Sequence, residues 1–241
     1  MQVAHVRLGT AARRRAEERL DRPAYVTFDC YGTLIDFDLG PITLEQLGPR
    51  LAAPDRDAFL QAFEEFRFQE VLGPYRSYRE VLKQSLSRAM REFGLDYDEA
   101  DGEAVVAAVP TFGPFPEVPS VLERIRQHCR IVIVSNSDDD LMAGNLRRIG
   151  VPFDDVITAE QAHVYKPSPL MFHYLLGALH CRPDDILHVA QGFRYDIIPT
   201  HDFGWRQVWI NRRRLPGDSI HTPYRELPDL SGLPALLGIE D

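Results

Sequence analysis

The sequence predicts an α/β fold: a Rossmann-like parallel-sheet core with helices on both faces and an inserted helical cap after the first strand. Three observations carry this prediction. Short β-branched runs recur along the second half of the chain, and helical periodicity separates them. One long helical stretch interrupts the series directly after its first member.

Residues 1–22 contain Arg13, Arg14, Arg15, Glu17, Glu18 and Arg19 with no apolar centre, so they read as an N-terminal arm rather than a signal peptide. Tyr25-Val26-Thr27-Phe28 is a β-prone run ending at Asp29, followed by a loop that contains Gly32. From residue 42 to about 108 the periodicity is helical. Phe59, Phe63 and Phe66 share one helical face, and Tyr78, Leu82, Leu86, Met90 and Phe93 another. Gly73-Pro74 divides these two helices and Gly94 closes the second.

The proline-rich stretch 110–119 reads as a hinge returning the chain to its core. Ile131-Val132-Ile133-Val134 then reads as a buried strand, and Leu141, Leu146 and Ile149 as one helical face. Further strands are expected at Val156-Ile157-Thr158, Ile186-Leu187-His188-Val189 and Gln207-Val208-Trp209-Ile210, with a helix around 171–179. The implied division is an arm at 1–22, a core at 23–40 and 115–241, and a cap at 41–114.

Composition narrows the function classes. The chain has 241 residues, 44% hydrophobic and 26% charged, enough to fill a core without a staple or structural metal. A formal charge of −9 argues against a nucleic-acid partner, whose phosphates require a basic footprint. Cys30, Cys129 and Cys181 show neither CxxC nor Cys/His spacing, so no disulfide framework or zinc site is expected. No apolar run approaches the roughly 20 residues needed to span a bilayer, so no membrane partner is expected and a cytoplasmic location is the default.

In parallel α/β sheets, ligands bind outside the carboxyl ends of the strands. Polar residues just after the strands should therefore converge: Asp29, Ser135 with Asn136, the Lys166 loop, and Asp196. A carboxylate there can form an ester intermediate, dividing one difficult hydrolysis into two displacements. Lys166 would keep Asp29 ionised. Thr33 and Ser135 can hold its oxygens by hydrogen bonds, and Asn136 can donate to a substrate anion. Asp196 would orient Lys166 or activate the hydrolytic water. Bland alternatives stand beside these roles: Thr33 and Ser135 as turn or capping residues, Lys166 as an exposed loop charge, Asp196 as a helix-starting acid.

Phe28-Asp29-Cys30-Tyr31-Gly32-Thr33-Leu34 resembles the first motif of the haloacid dehalogenase superfamily. Val134-Ser135-Asn136, Tyr165-Lys166-Pro167 and the acid Asp196 follow in the order of its other three motifs. The resemblance implies that Asp29 is a covalent nucleophile. It further implies catalytic roles for Lys166, Asp196, Thr33 and Ser135, and substrate contacts at Asn136, Phe193 and the backbone amides near Cys30 and Tyr31.

Superfamily phosphatases carry a second aspartate two residues after the first, where this chain has Tyr31. That acid protonates a leaving alkoxide, an effect worth about 10²–10⁴-fold, whereas a halide leaves unprotonated. Asp-Cys-Tyr-Gly-Thr therefore resembles the (S)-2-haloacid dehalogenase branch, which implies conversion of a small 2-haloalkanoic acid to a 2-hydroxy acid. Phosphatases also hold Mg²⁺ on acids of the last motif. Here Gln191-Gly192-Phe193-Arg194-Tyr195-Asp196 has Phe193 in that place, so no metal or other cofactor is expected. A Mg²⁺-dependent phosphatase of a small phosphorylated metabolite is the second reading, with Asp29, a backbone carbonyl and Asp196 as a thin site. A binding protein on the same scaffold is the third.

Departures from the dehalogenase pattern lie near the chemistry. The family's halide-binding cap arginine falls at Phe59 in an ungapped register, with Arg56 and Arg67 on the same helix. A family tyrosine corresponds to Phe172, and family Ser and Asn in the last motif correspond to Gln191 and Phe193. His188 and His201 read as structural, and Arg212-Arg213-Arg214 as a solvated edge. The resemblance implies a homodimer, although no sequence feature marks an interface.

Overall fold

A computed structural model describes residues 22–222 and 224–239 of the chain. The expected N-terminal arm, Arg22 apart, lies outside these residues.

Six strands form one parallel sheet among the described residues: β1 (Tyr25–Phe28), β2 (Arg130–Ser135), β3 (Asp155–Thr158), β4 (Ile186–Ala190), β5 (Arg206–Ile210) and β6 (Arg225–Leu227). The order β3-β2-β1-β4-β5-β6 puts β1 in the middle, with Val26 opposite Ile131 on one side and Leu187 on the other. Here the strand order reverses, which opens a crevice at the carboxyl ends of β1 and β4. β6 was not expected from the sequence. Its Arg-Glu-Leu has no apolar alternation, and it forms only where β5 offers an unpaired edge.

Both sheet faces are covered, and the period-2 pleat explains the apolar content of the strands. In β2, Ile131 and Ile133 pack into one core with Val118, Leu122 and Ile125 of a helix at Val118–Ile125. Val132 and Val134 face the opposite way, toward Met171, Phe172 and Leu175 of a helix at Pro169–Leu179.

Between β1 and β2 the chain builds four cap helices: α1 (Gly40–Leu47), α2 (Arg56–Val71), α3 (Tyr78–Glu92) and α4 (Glu99–Ala108). Phe59 and Phe63 of α2 meet Leu82, Leu86 and Met90 of α3 in a second core. Ser77 and Glu80 cap α3 reciprocally, and Asp98 and Asp101 do the same for α4. Buried Asp101 also receives Arg50 Nη1 at 3.0 Å and Gln46 Nε2 at 3.1 Å, tying α1 to α4. The proline-rich return segment lies against the outgoing chain, with Phe115 N donating to Leu34 O at 3.0 Å. One side chain crosses from the core to start a cap helix: Asp138 accepts from the N–H groups of Tyr78 at 2.6 Å and Arg79 at 3.0 Å.

Candidate active site

Asp29 leaves the end of β1, where its N–H still donates to Val189 O at 3.1 Å. The chain then turns tightly: the amides of Thr33, Leu34 and Ile35 all converge on Cys30 O. Gly32 sits at φ +83°, in the left-handed region that favours glycine. This turn brings Thr33 Oγ1 back to donate to Asp29 Oδ2 at 2.7 Å, while the same oxygen accepts from Gln191 N at 2.8 Å.

Lys166 is fully buried. Its ammonium donates to Asp29 Oδ1 at 2.8 Å, Asp196 Oδ1 at 2.7 Å and Val134 O at 2.9 Å, so three donors meet three acceptors. Asn136 fixes the lysine's main chain, donating to Lys166 O at 2.9 Å and accepting from Lys166 N at 2.8 Å. Asp196 rises from a π-helical turn at Phe193–Ile197, which follows β4. Its Oδ1 also accepts from His188 Nε2 at 3.0 Å, and its Oδ2 is buried without a partner.

The charges set one another. Burial pushes Asp29 above its ordinary value, and Lys166 and Thr33 oppose that rise. Burial penalises the Lys166 cation, but Asp196 and Asp29 together hold it above its usual value. For Asp196 burial raises the pKa, yet Lys166 and His188 prevail and hold it below the usual carboxylate value.

Above these groups lies a cavity of about 220 Å³, lined by Asp29, Lys166 and Asp196 at its base and by Phe37, Leu60, Phe63, Arg67, Tyr78 and Tyr195 on its walls. Tyr31 stacks on Phe37 with centroids 4.4 Å apart. Its hydroxyl shares a hydrogen bond with Ser137 Oγ at 2.9 Å and donates to Asn145 Oδ1 at 3.1 Å. Burial drives the Tyr31 phenol well above its ordinary pKa. Its proton is therefore bound to the core scaffold.

Arg67 of α2 lies near the Tyr78 phenol, where its charge opposes the rise that burial imposes on that group, and its guanidinium is 5.1 Å from the Phe63 ring centre. Its Nε is buried and unpartnered. Phe59 is in the cap core and Arg56 is exposed, so Arg67 is the cap cation that reaches the cavity.

Several expectations are corrected. Phe193 does not face the cavity: its ring packs on Trp209 (4.8 Å) and Tyr224 (5.7 Å), and the π turn presents Gly192 and Tyr195 instead. The Cys30 side chain is buried in the sheet core, so the contact at this position rests on its backbone amide, as expected from the sequence. Among the described residues no backbone carbonyl takes up the amides of Cys30 and Tyr31. Ser135 Oγ is buried with no partner and makes no bond to Asp29. Asn136 lines the cavity, and one N–H of its amide also holds Lys166 O. Phe172 packs on His188 and Trp205, away from the cavity lining. Arg212 is no solvated edge: it donates to Thr33 O at 2.8 Å, pairs with Glu117 at 2.7 Å and lies over Phe115. Arg213 alone of that run lines the cavity. Sequence reasoning missed the contact between His188 and Asp196. It follows from the π turn after β4, which folds Asp196 back onto that strand and which no local signal specifies.

The residues fit Mg²⁺ poorly. The Lys166 ammonium already bridges Asp29 and Asp196, and the remaining acid position belongs to Phe193, which is turned away. Mg²⁺ requires several hard oxygens in octahedral array, and Asp196 Oδ2 is the single unpartnered carboxylate oxygen at the base. Among the described residues no helix is long and apolar enough to cross a membrane.

A family model for haloacid dehalogenase-like hydrolases matches residues 24–199. The chain is similar to haloacetate dehalogenase H-2 of Moraxella sp. (strain B), at 26% identity over 219 residues, covering 89% of this chain and 97% of the relative. It is similar also to (S)-2-haloacid dehalogenase 1 of Pseudomonas sp. (strain CBS-3), at 26% identity, covering 87% and 94%. Its fold resembles the solved L-2-haloacid dehalogenase from Xanthobacter autotrophicus with chloropropionic acid covalently bound. There the TM-score is 0.76 at 20% identity, over 90% of this chain and 98% of that one.

Proposed function

The chain belongs to the haloacid dehalogenase-like hydrolases, and from that premise we propose that it hydrolyses the carbon–halogen bond of a small 2-haloalkanoic acid to give a 2-hydroxy acid. Asp29 attacks C2, the halide leaves with the bonding electrons, and an aspartyl ester forms. Water then attacks the ester carbonyl and Asp196 accepts its proton. The observation that carries this reading is the hydroxyl of Tyr31, two residues after the nucleophile, held by Ser137 and Asn145. With the proton there committed to the scaffold, the site suits a leaving group that needs none. The dehalogenase names of the two similar proteins support the same reaction.

Arg67 and the amides of Cys30 and Tyr31 are proposed to hold the substrate's carboxylate and the departing halide. Lys166 supplies the fixed positive charge, and the reaction needs no metal. The net charge of −9 supports a small-molecule rather than a nucleic-acid partner, and a cytoplasmic location is part of the same proposal.

The test is halide release from 2-chloropropionate measured beside phosphate release from p-nitrophenyl phosphate, each with Mg²⁺ and with chelator. Halide release that survives chelation is expected, and Asp29→Asn should abolish it. Phosphate release that depends on Mg²⁺, with no halide, would overturn the proposal.

A further inference from the structure

We propose that His188 is a positioning residue for hydrolysis of the ester, holding Asp196 so that its bare oxygen takes the proton of the attacking water. The inference rests on the ester-forming reading above. His188 lies directly opposite Thr27 in the sheet, and both are fully buried. An ionised carboxylate can only accept, so Nε2 carries the hydrogen donated to Asp196 Oδ1 at 3.0 Å. In the neutral ring Nδ1 then accepts from Thr27 Oγ1 at 2.9 Å. Thr27 thus fixes the tautomer and His188 fixes the acid.

Lys166 and His188 both donate to Oδ1, and Oδ2 is left buried without a partner in a residue that lines the cavity. Asp29 Oδ1 and Asp196 Oδ1 share the same ammonium at 2.8 and 2.7 Å, so the bare oxygen belongs to the nucleophile's immediate neighbourhood. In the second step the water oxygen bonds to Asp29 Cγ and one proton passes to Asp196 Oδ2. The bond between Cγ and the ester oxygen, the one with which Asp29 attacked C2, breaks, and that oxygen takes the proton back and leaves as the hydroxyl of the 2-hydroxy acid. The proton remaining on the new Asp29 carboxyl goes to solvent as the group ionises beside Lys166. Halide expulsion in the first step needs none of these transfers, so His188 should act on the second step alone.

Rapid-quench kinetics with 2-chloropropionate separate the steps: the halide burst reports attack, and mass analysis of the Asp29 peptide reports the ester. His188→Phe keeps ring bulk against Phe172 but offers no donor. It should give an undiminished burst and then ester hydrolysis slowed about 10–100-fold, the effect of one charge-assisted hydrogen bond. His188→Gln places an amide N–H near the position of Nε2 and should restore most of the rate. His188→Asn, whose amide reaches only as far as Nδ1, should not. The Gln and Asn pair carries the test if the Phe variant does not fold. Hydrolysis as fast in His188→Phe or His188→Asn as in wild type overturns the role of His188, as does equal slowing of both steps. A wild-type protein that releases no halide overturns the haloacid reading, and this proposal with it.

Discussion

Replacing Lys166 by Met tests the electrostatic centre of the site. The ammonium lies 2.8 Å from Asp29 and 2.7 Å from Asp196, all three groups being buried. At such separations each pair attracts by on the order of 6 kcal/mol in an effective dielectric of about 20. Desolvation offsets part of this, and removing one partner of a buried pair typically costs about 3–5 kcal/mol. Asp29 already sits above its ordinary value through burial, and losing the ammonium that opposes this rise pushes it higher still. We expect kcat for halide release to fall by about 10²–10⁴-fold at pH 7 and to recover as pH is raised and Asp29 ionises. The assay is a pH series of initial halide-release rates for wild type and Lys166→Met, each checked for folding by circular dichroism. A variant within tenfold of wild type at pH 7, or a deficit that does not narrow with rising pH, would refute the argument.

Three other perturbations have defined outcomes. Gly192→Ala would place a Cβ 2.6 Å from Asp196 Oδ2, so the acid must move; kcat should drop about 10- to 100-fold with ester accumulating, and unchanged kcat excludes that oxygen from the chemistry. Asp101 is held down to about 2, first by Arg50 and also by Gln46 and the Asp98 amide. Because the folded value lies below the unfolded one, this stability is present above about pH 4 and lost as pH falls toward about 2. Asp101→Asn should therefore lower thermal stability at pH 7 by about 1–2 kcal/mol, allowing for solvent screening of the partly exposed Arg50, with a gap that closes in acid; a gap independent of pH counts against it. Asp138→Ala strips the acceptor from the Tyr78 and Arg79 amides and should cost about 1–3 kcal/mol, with KM rising more than kcat as the cap loosens. Unchanged melting and kinetics would show that the cap does not depend on this contact.

The legible parts of the molecule were those governed by local periodicity. Five strands, the two long cap helices and the alternation that builds a parallel sheet all leave marks in the order of apolar residues. The strand-end rule brought Asp29, Lys166 and Asp196 together because it is a rule about topology. Individual side-chain directions were less accessible. Phe193 sits in a motif position that suggests ligand contact, yet the π turn rotates it against Trp209. Asn136 has the chemistry of an anion donor and lines the cavity, but its second task, holding the lysine backbone, left no mark in the sequence. Arg67 could be named as one of several cap cations, but choosing it required the packing of α2 on α3. His188 looked structural because its partner is eight residues away along the chain and meets it only through the turn after β4.

The cavity draws its reactive floor from strand ends of the sheet and much of its wall from α2 and α3. Reactivity and selectivity are thereby encoded in separate stretches of the chain. Exchanging the side chains at Leu60, Phe63 and Arg67 would change which acids are admitted while leaving the nucleophile, its ammonium and its threonine untouched. One floor can thus be paired with many lids, and new substrates are reached by drift in the cap without first losing the ability to form the ester.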